Sequence, residues 1–152
     1  MVMKMEKYFV SASNEQTIQI GQTLGKYLKP GDVVLLIGDL SAGKTTITKG
    51  IGQAIGVKKI INSPTFTIVK EYRGKFPLYH LDLYRLDGLN QDFDLEEYIE
   101  GDGLCVIEWP YQVKEILPKE YLEIFLERLD QNNRRIKISS HGKRYDEVIE
   151  KL

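Results

Sequence analysis

Residues 38–45 read Gly38-Asp39-Leu40-Ser41-Ala42-Gly43-Lys44-Thr45, which matches the phosphate-loop pattern G-x-x-x-x-G-K-[ST]. Glycines at both ends of this loop allow backbone angles that a side chain would penalise, so successive N–H groups can face an anion. The Lys44 ammonium can then reach the β- and γ-phosphates of a nucleotide, and the Thr45 hydroxyl can join the shell of a Mg²⁺ ion. The pattern predicts a site for a nucleoside triphosphate with magnesium.

The residues on either side of the loop give the context that this chemistry needs. Residues 32–37 are a short, mostly apolar run that predicts a buried strand, and residues 46–55 read as a helix that ends at Gly56. The N-terminus of that helix would face the phosphates. We therefore expect the nucleotide to be bound by the loop and the first helical turn, that is by Asp39, Leu40, Ser41, Ala42, Gly43, Lys44, Thr45 and Thr46.

The bulk properties indicate one soluble domain. The chain has 152 residues, 42% of them hydrophobic and 28% charged, and its net charge of −1 does not indicate nucleic-acid binding by bulk electrostatics. Its only cysteine, Cys105, lies in an apolar run and is expected to be a buried, reduced thiol. No apolar run approaches the length of a membrane span, so we expect a cytoplasmic protein with no membrane partner.

The remaining segments predict an α/β sandwich with a mixed central sheet. Ser13 and Gln16 resemble a capping box for a helix that runs to about Lys29. The other expected elements are an edge strand at 8–10, a hairpin of 67–72 with 76–84, a short helix at 92–98, a strand at 104–107, a helical turn at 113–117, a hairpin of 120–129 with 134–140, and a closing helix at 145–152. Two hairpins beside a phosphate-loop strand predict a mixed sheet rather than a purely parallel one.

Two carboxylates are candidates for the second magnesium anchor that a phosphate loop needs. Glu108 follows four apolar residues at the end of a predicted strand, which is where ligands of open α/β sheets gather. Asp82 lies in a second strand with a weaker local pattern. One acid would hold the metal, and the other would orient a water molecule.

Several other polar residues have two readings. Ser63-Pro64-Thr65-Phe66-Thr67 offers three hydroxyls, either for a nucleotide-sensing switch or for a plain turn before a strand. His80 reads as a packed strand residue rather than a base, because phosphoryl transfer depends on positioning and charge. The guanine-reading motif Asn/Thr-Lys-x-Asp does not occur in the sequence, so adenine is the expected base.

Four stretches together resemble the TsaE (YjeE) family, the bacterial ATPase of tRNA threonylcarbamoyladenosine synthesis. They are the phosphate loop, Ser63-Pro64-Thr65-Phe66, His80-Leu81-Asp82-Leu83-Tyr84-Arg85-Leu86 and Val106-Ile107-Glu108-Trp109-Pro110. Their order and spacing and the chain length all fit, although the resemblance is weak after Pro118. Family loops usually have glycine where this chain has Ser41.

The resemblance implies a compact phosphate-loop domain with a mixed sheet, spanning 1–152. It implies that Thr45 and Glu108 bind Mg²⁺, that Lys44 binds the phosphates, that Thr65 belongs to a switch-like loop, and that Asp82 is needed for hydrolysis. The adenine would pack between the start of the first helix, at Ser13 and Asn14, and the turn of the last hairpin, at Asn133 and Arg134. The implied partners are TsaD and TsaB, which modify adenosine 37 of tRNAs reading codons that begin with A, so that tRNA is met only through the complex.

Two other functions fit the phosphate loop alone. A small-molecule kinase shares the loop and the size, but the sequence has no clustered-arginine lid segment. A nucleotide-controlled binding module with negligible hydrolysis is the other alternative. The joint occurrence of the four stretches favours an ATPase that works with partners and resets their complex between rounds.

Overall fold

The computed structural model describes residues 5–39, 41–62, 69–82, 95–108 and 117–152, and these residues form seven strands and four helices. The strands are β1 (Glu6–Ser11), β2 (Val33–Ile37), β3 (Val69–Arg73), β4 (Pro77–Asp82), β5 (Leu104–Glu108), β6 (Tyr121–Arg128) and β7 (Arg134–His141). The helices are α1 (Asn14–Gly25), α2 (Lys44–Ala54), α3 (Leu95–Ile99) and α4 (Lys143–Glu150).

All seven strands join one mixed sheet in the order β1-β7-β6-β2-β5-β4-β3. The strand β2 lies at its centre and runs parallel to both neighbours, β5 and β6, and β4 runs parallel to β5. The pairs β3–β4, β6–β7 and β1–β7 are antiparallel. The prediction of a mixed sheet with the phosphate loop after a central strand is therefore confirmed.

Alternation along β2 supplies both faces of the sheet with apolar side chains. Val34 and Leu36 belong to a large buried cluster that includes residues of α1, α2 and α4. Val33 and Leu35 point to the opposite face, into a smaller cluster that includes Ile99 of α3. A strand that is buried on both faces reads as a continuous apolar run, as this one does.

The helices α1 and α2 pack at backbone contact because glycines form their interface. A Cβ atom on Gly50 would lie 2.1 Å from the Ile18 carbonyl oxygen, and one on Gly21 would lie 2.3 Å from that of Ile47. Any side chain at these positions would push the two helices apart. This contact fixes the position of α2 against α1, and with it the position of the phosphate loop that precedes α2.

Replacing Gly50 by alanine should lower the free energy of unfolding by about 1–3 kcal/mol, the usual cost of overpacking a close contact. Urea denaturation of the wild type and the variant measures this loss. The matched control is Gln19→Ala on the exposed side of α1, which should change stability by less than about 0.5 kcal/mol. Equal stability of Gly50→Ala and the wild type would show that the helices separate without cost.

Several predicted helix boundaries are wrong. The helix α2 begins at Lys44 rather than at residue 46. We expected α1 to reach about Lys29, but it ends at Gly25. Beyond that point the Tyr27 N–H donates to the Leu24 carbonyl at 3.0 Å and the Lys29 N–H to the Asp32 side chain at 2.7 Å, so neither continues the α-helical pattern. The closing helix runs over Lys143–Glu150 rather than over 145–152. Its earlier start brings Arg144 within 2.8 Å of the buried Asp32 carboxylate, an ion pair that sequence patterns do not reveal.

The other element predictions hold where the structure describes them. The edge strand β1, both hairpins, α3 and β5 lie at the expected places, and Ser13 caps α1 by accepting a hydrogen bond from the Gln16 N–H. Cys105 is fully buried, and burial raises the pKa of its thiol to about 12, as expected for a packed thiol. None of the helices in the described part of the chain has the length and apolar character needed to cross a bilayer.

Some predictions fall outside the described residues. These are Leu40 of the loop, the hydroxyl-bearing segment with Thr65, the ends of two of the resembling stretches at 83–86 and 109–110, the start of the predicted helix at 92–98, and most of the predicted helical turn at 113–117.

Candidate active site

The phosphate loop connects β2 directly to α2, in the strand–loop–helix order that the sequence predicts. Gly43 occupies the position before the helix with φ = 103°, a left-handed conformation that favours glycine. Gly38 follows the strand, and a Cβ atom there would lie 2.5 Å from the Leu126 carbonyl oxygen of β6. Glycine is therefore required at one end of the loop by backbone conformation and at the other by close approach. Between them, the Ala42 N–H donates to the Asp39 carbonyl at 3.0 Å and closes a turn.

Lys44 is the first residue of α2, and its side chain turns back across the loop. Its Nζ donates to the Gly38 carbonyl oxygen at 2.8 Å, and only 4% of the residue is exposed. Burial lowers the pKa of the ammonium group, and the attraction of the nearby carboxylates of Glu108, Asp82 and Asp39 opposes this change. The structure thus keeps a partly desolvated positive charge directly at the loop.

The two predicted acids lie side by side at the same edge of the sheet. Asp82 ends β4, Glu108 ends β5, and the two residues face each other in the parallel register of these strands. Glu108 is also opposite Leu36 of β2, one residue before the end of the strand that leads into the loop. Glu108 is 3% exposed, and Asp82 is half-buried. The carboxyl ends of three parallel strands therefore bring Lys44, Glu108 and Asp82 together.

Thr45 and Thr46 lie in the first turn of α2 and are half-buried. Ala42 is fully buried, and Ser41 is exposed with its hydroxyl 3.3 Å from Nη1 of Arg128. Arg128 was not predicted as a site residue. Its signal in the sequence is weak, since it is simply the last residue of β6 before a turn rich in polar side chains.

The predicted base-binding segments come together beside the loop. In the register of β1 with β7, Arg134 is opposite Ser11, which lies just before Ser13 and Asn14 at the start of α1. The side chain of Asn133 donates to both Asp130 carboxylate oxygens at 2.7 and 2.9 Å, so it orders the turn of the hairpin. These bonds help to hold the pKa of Asp130 below its usual range. The structure thus joins the two segments, and their contact with a base remains a prediction.

The protein side chains present suit a magnesium ion that is bound mainly through phosphates. Among the described residues there is no cluster of three or more His, Cys, Asp or Glu side chains that could hold a metal by themselves. Mg²⁺ rarely uses such cages, and it is usually held by one or two side chains, substrate phosphates and water. Thr45 at the loop and Glu108 at the neighbouring strand end fit that donor set.

Comparisons with known proteins identify the family of this chain. The family model for "Threonylcarbamoyl adenosine biosynthesis protein TsaE" matches residues 11–136. A protein of Bacillus subtilis (strain 168) named tRNA threonylcarbamoyladenosine biosynthesis protein TsaE is 45% identical over 139 residues, covering 91% of this chain and 88% of its own. The Treponema pallidum (strain Nichols) protein of the same name is 42% identical, over 86% of this chain and 98% of its own.

A solved structure is similar over nearly the whole chain. The crystal structure of YdiB from Bacillus subtilis superimposes with a TM-score of 0.87 at 38% sequence identity, covering 99% of this chain and 95% of that one. The chain therefore belongs to the TsaE family.

Proposed function

We propose that this protein binds ATP and Mg²⁺ at the phosphate loop and hydrolyses ATP as a component of tRNA threonylcarbamoyladenosine synthesis. One observation carries the proposal: a buried lysine and two adjacent carboxylates converge on a phosphate loop in a chain of the TsaE family. We further propose that it acts in the cytoplasm with TsaD and TsaB on adenosine 37 of tRNAs reading ANN codons. In this proposal it acts on tRNA only indirectly, through that complex, and it resets the complex between rounds of modification.

Each side chain has a task that follows from its position. The Lys44 ammonium would exchange its hydrogen bond to the Gly38 carbonyl for bonds to the β- and γ-phosphates. The phosphate oxygens would then compensate the ammonium for the water contacts that burial removes. The loop N–H groups and the start of α2 would surround the phosphates with partial positive charge. Thr45 and Glu108 would hold the magnesium ion, which supplies charge neutralisation on the phosphates when bound.

Hydrolysis needs a water molecule placed in line with the γ-phosphate. Asp82 is more exposed than Glu108 and one strand further from the loop, so it can orient water while Glu108 holds the metal. We propose that Thr65 completes this side of the site as part of a switch-like loop. Ser13, Asn14, Asn133 and Arg134 would contact the adenine, with the remaining loop residues Asp39, Leu40, Ser41, Ala42, Gly43 and Thr46 around the phosphates.

The test is steady-state ATP hydrolysis by the protein alone and with a reconstituted TsaD–TsaB pair. We expect slow turnover alone and a rise of several-fold with the pair, because a partner would complete the positioning of water and phosphate. Lys44→Ala is the control for a contaminating ATPase. A rate that the pair does not change would contradict the role in this pathway, and transfer of phosphate to a metabolite would indicate a kinase instead.

A further inference from the structure

His80 is a buried polar residue next to the proposed magnesium ligand. It is fully buried in β4, and neither of its ring nitrogens has a hydrogen-bond partner within the part of the chain that the structure describes. The Oε1 atom of Glu108 is in the same condition. The two unsatisfied atoms face each other, with His80 Nε2 3.4 Å from Glu108 Oε1.

A purely structural role explains this pair poorly. Leaving a buried donor or acceptor without a partner is costly, whereas an apolar side chain of similar shape would cost nothing of the kind. The separation of 3.4 Å exceeds a good N–H···O distance by only a few tenths of an ångström. A small movement of the Glu108 carboxylate would complete a hydrogen bond to an imidazole that carries its proton on Nε2.

The sheet register places His80 behind the two carboxylates. His80 precedes Asp82 by two residues, so both side chains lie on the same face of β4, and His80 is opposite Val106, two residues before Glu108. It therefore lies deeper along the strands, away from the edge where the loop begins. It is fully buried there and lies within reach of the Glu108 carboxylate.

We propose that His80 is a positioning residue for the magnesium ligand Glu108. Its Nε2–H donates to Oε1 and fixes the carboxylate, which leaves Oε2 as the oxygen for the cation. Residues that hydrogen-bond to a metal ligand orient that ligand, and their loss typically weakens metal affinity by about tenfold to a hundredfold. The inference rests on the proposed function, since it requires that Glu108 binds Mg²⁺ together with a nucleotide.

The test measures how strongly Mg²⁺ increases the affinity for ADP, a readout independent of hydrolysis. Fluorescence titrations with mant-ADP, with and without Mg²⁺, compare the wild type with His80→Leu, His80→Asn and His80→Gln. Leucine removes the donor, asparagine carries a donor too short to reach Glu108, and glutamine carries one at about the position of Nε2. We expect leucine and asparagine to reduce the Mg²⁺ enhancement by about tenfold or more, and glutamine to retain most of it.

His141→Leu is the matched control. His141 Nε2 lies 3.6 Å from Glu123 Oε2, so it is also a histidine beside a glutamate. It lies far from the proposed site, because it is paired with Tyr121 at the start of β6, whereas Glu108 lies at the carboxyl end of β5. Its replacement should leave the Mg²⁺ enhancement unchanged. Urea denaturation of each variant shows whether it is folded, so that a reduced Mg²⁺ enhancement is not mistaken for a loss of structure.

The outcomes separate the two proposals. A full Mg²⁺ enhancement in His80→Leu, or equal enhancement in the asparagine and glutamine variants, would overturn the positioning role while leaving the ATP site intact. If the leucine variant does not fold, the asparagine–glutamine comparison decides alone. A wild type whose ADP affinity does not respond to Mg²⁺ would overturn the magnesium site itself, and the role of His80 with it.

Discussion

Replacing Lys44 by alanine should reduce the affinity for ATP by between about thirtyfold and several thousandfold, the range for removing one partner of a buried charge pair. The reason lies in the free protein, where the ammonium is almost fully buried and donates a hydrogen bond to the Gly38 carbonyl oxygen. Phosphate oxygens are much stronger acceptors for it. Loss of the ammonium group also leaves the carboxylates of Glu108 and Asp82 facing the nucleotide without a compensating positive charge.

Isothermal titration calorimetry with ATP and Mg²⁺ measures this effect. Lys49→Ala is the matched control, since it removes a lysine of the same helix that is only half-buried and lies beyond the first turn. Lys44→Met separates charge from packing because it keeps the buried aliphatic stem. Methionine should lose as much affinity as alanine, and a methionine variant that binds ATP like the wild type would show that the charge is not what holds the phosphates.

Local chemistry in the sequence predicted the centre of the fold well. The apolar run of β2, the glycines of the loop and the helix that follows lie within about twenty residues of each other, so short-range rules decide them. Both hairpins are also local, because a polar turn between alternating strands leaves few other pairings. The start of α1 follows from the Ser13 cap.

Contacts between distant segments could not be predicted in the same way. Nothing near Asp82 or Glu108 indicates that β4 and β5 are neighbours in parallel register, yet this register brings the two acids together. The ion pair of Asp32 with Arg144 joins residues more than a hundred positions apart, so no local pattern reveals it. His80 was correctly read as a packed residue, but its approach to Glu108 depends on the same register.

Replacing the two acids one at a time should affect different steps. Glu108→Gln should weaken the Mg²⁺ enhancement of nucleotide affinity by about tenfold to a hundredfold, the equivalent of one contact to a charged group. Asp82→Asn should leave that enhancement within about twofold and lower the turnover number by about a hundredfold or more, the usual contribution of a group that positions or activates water. Titrations with mant-ADP and steady-state hydrolysis with TsaD and TsaB measure the two effects.

The asymmetry follows from where the two strands lie. Glu108 is buried on the strand next to β2, so it is the acid nearer to Thr45 and the phosphates, and His80 stands behind it. Asp82 ends the next strand outward and retains access to solvent, from which the attacking water comes.

Asp102→Asn is the control, because this exposed acid lies at the other end of β5 and an asparagine there can still accept the hydrogen bond from the Tyr79 hydroxyl. If Asp82→Asn loses the Mg²⁺ enhancement and Glu108→Gln does not, the two acids have exchanged roles. His80→Leu separates the same possibilities independently, since it should reproduce the binding defect of Glu108→Gln only if Glu108 is the acid that holds the metal.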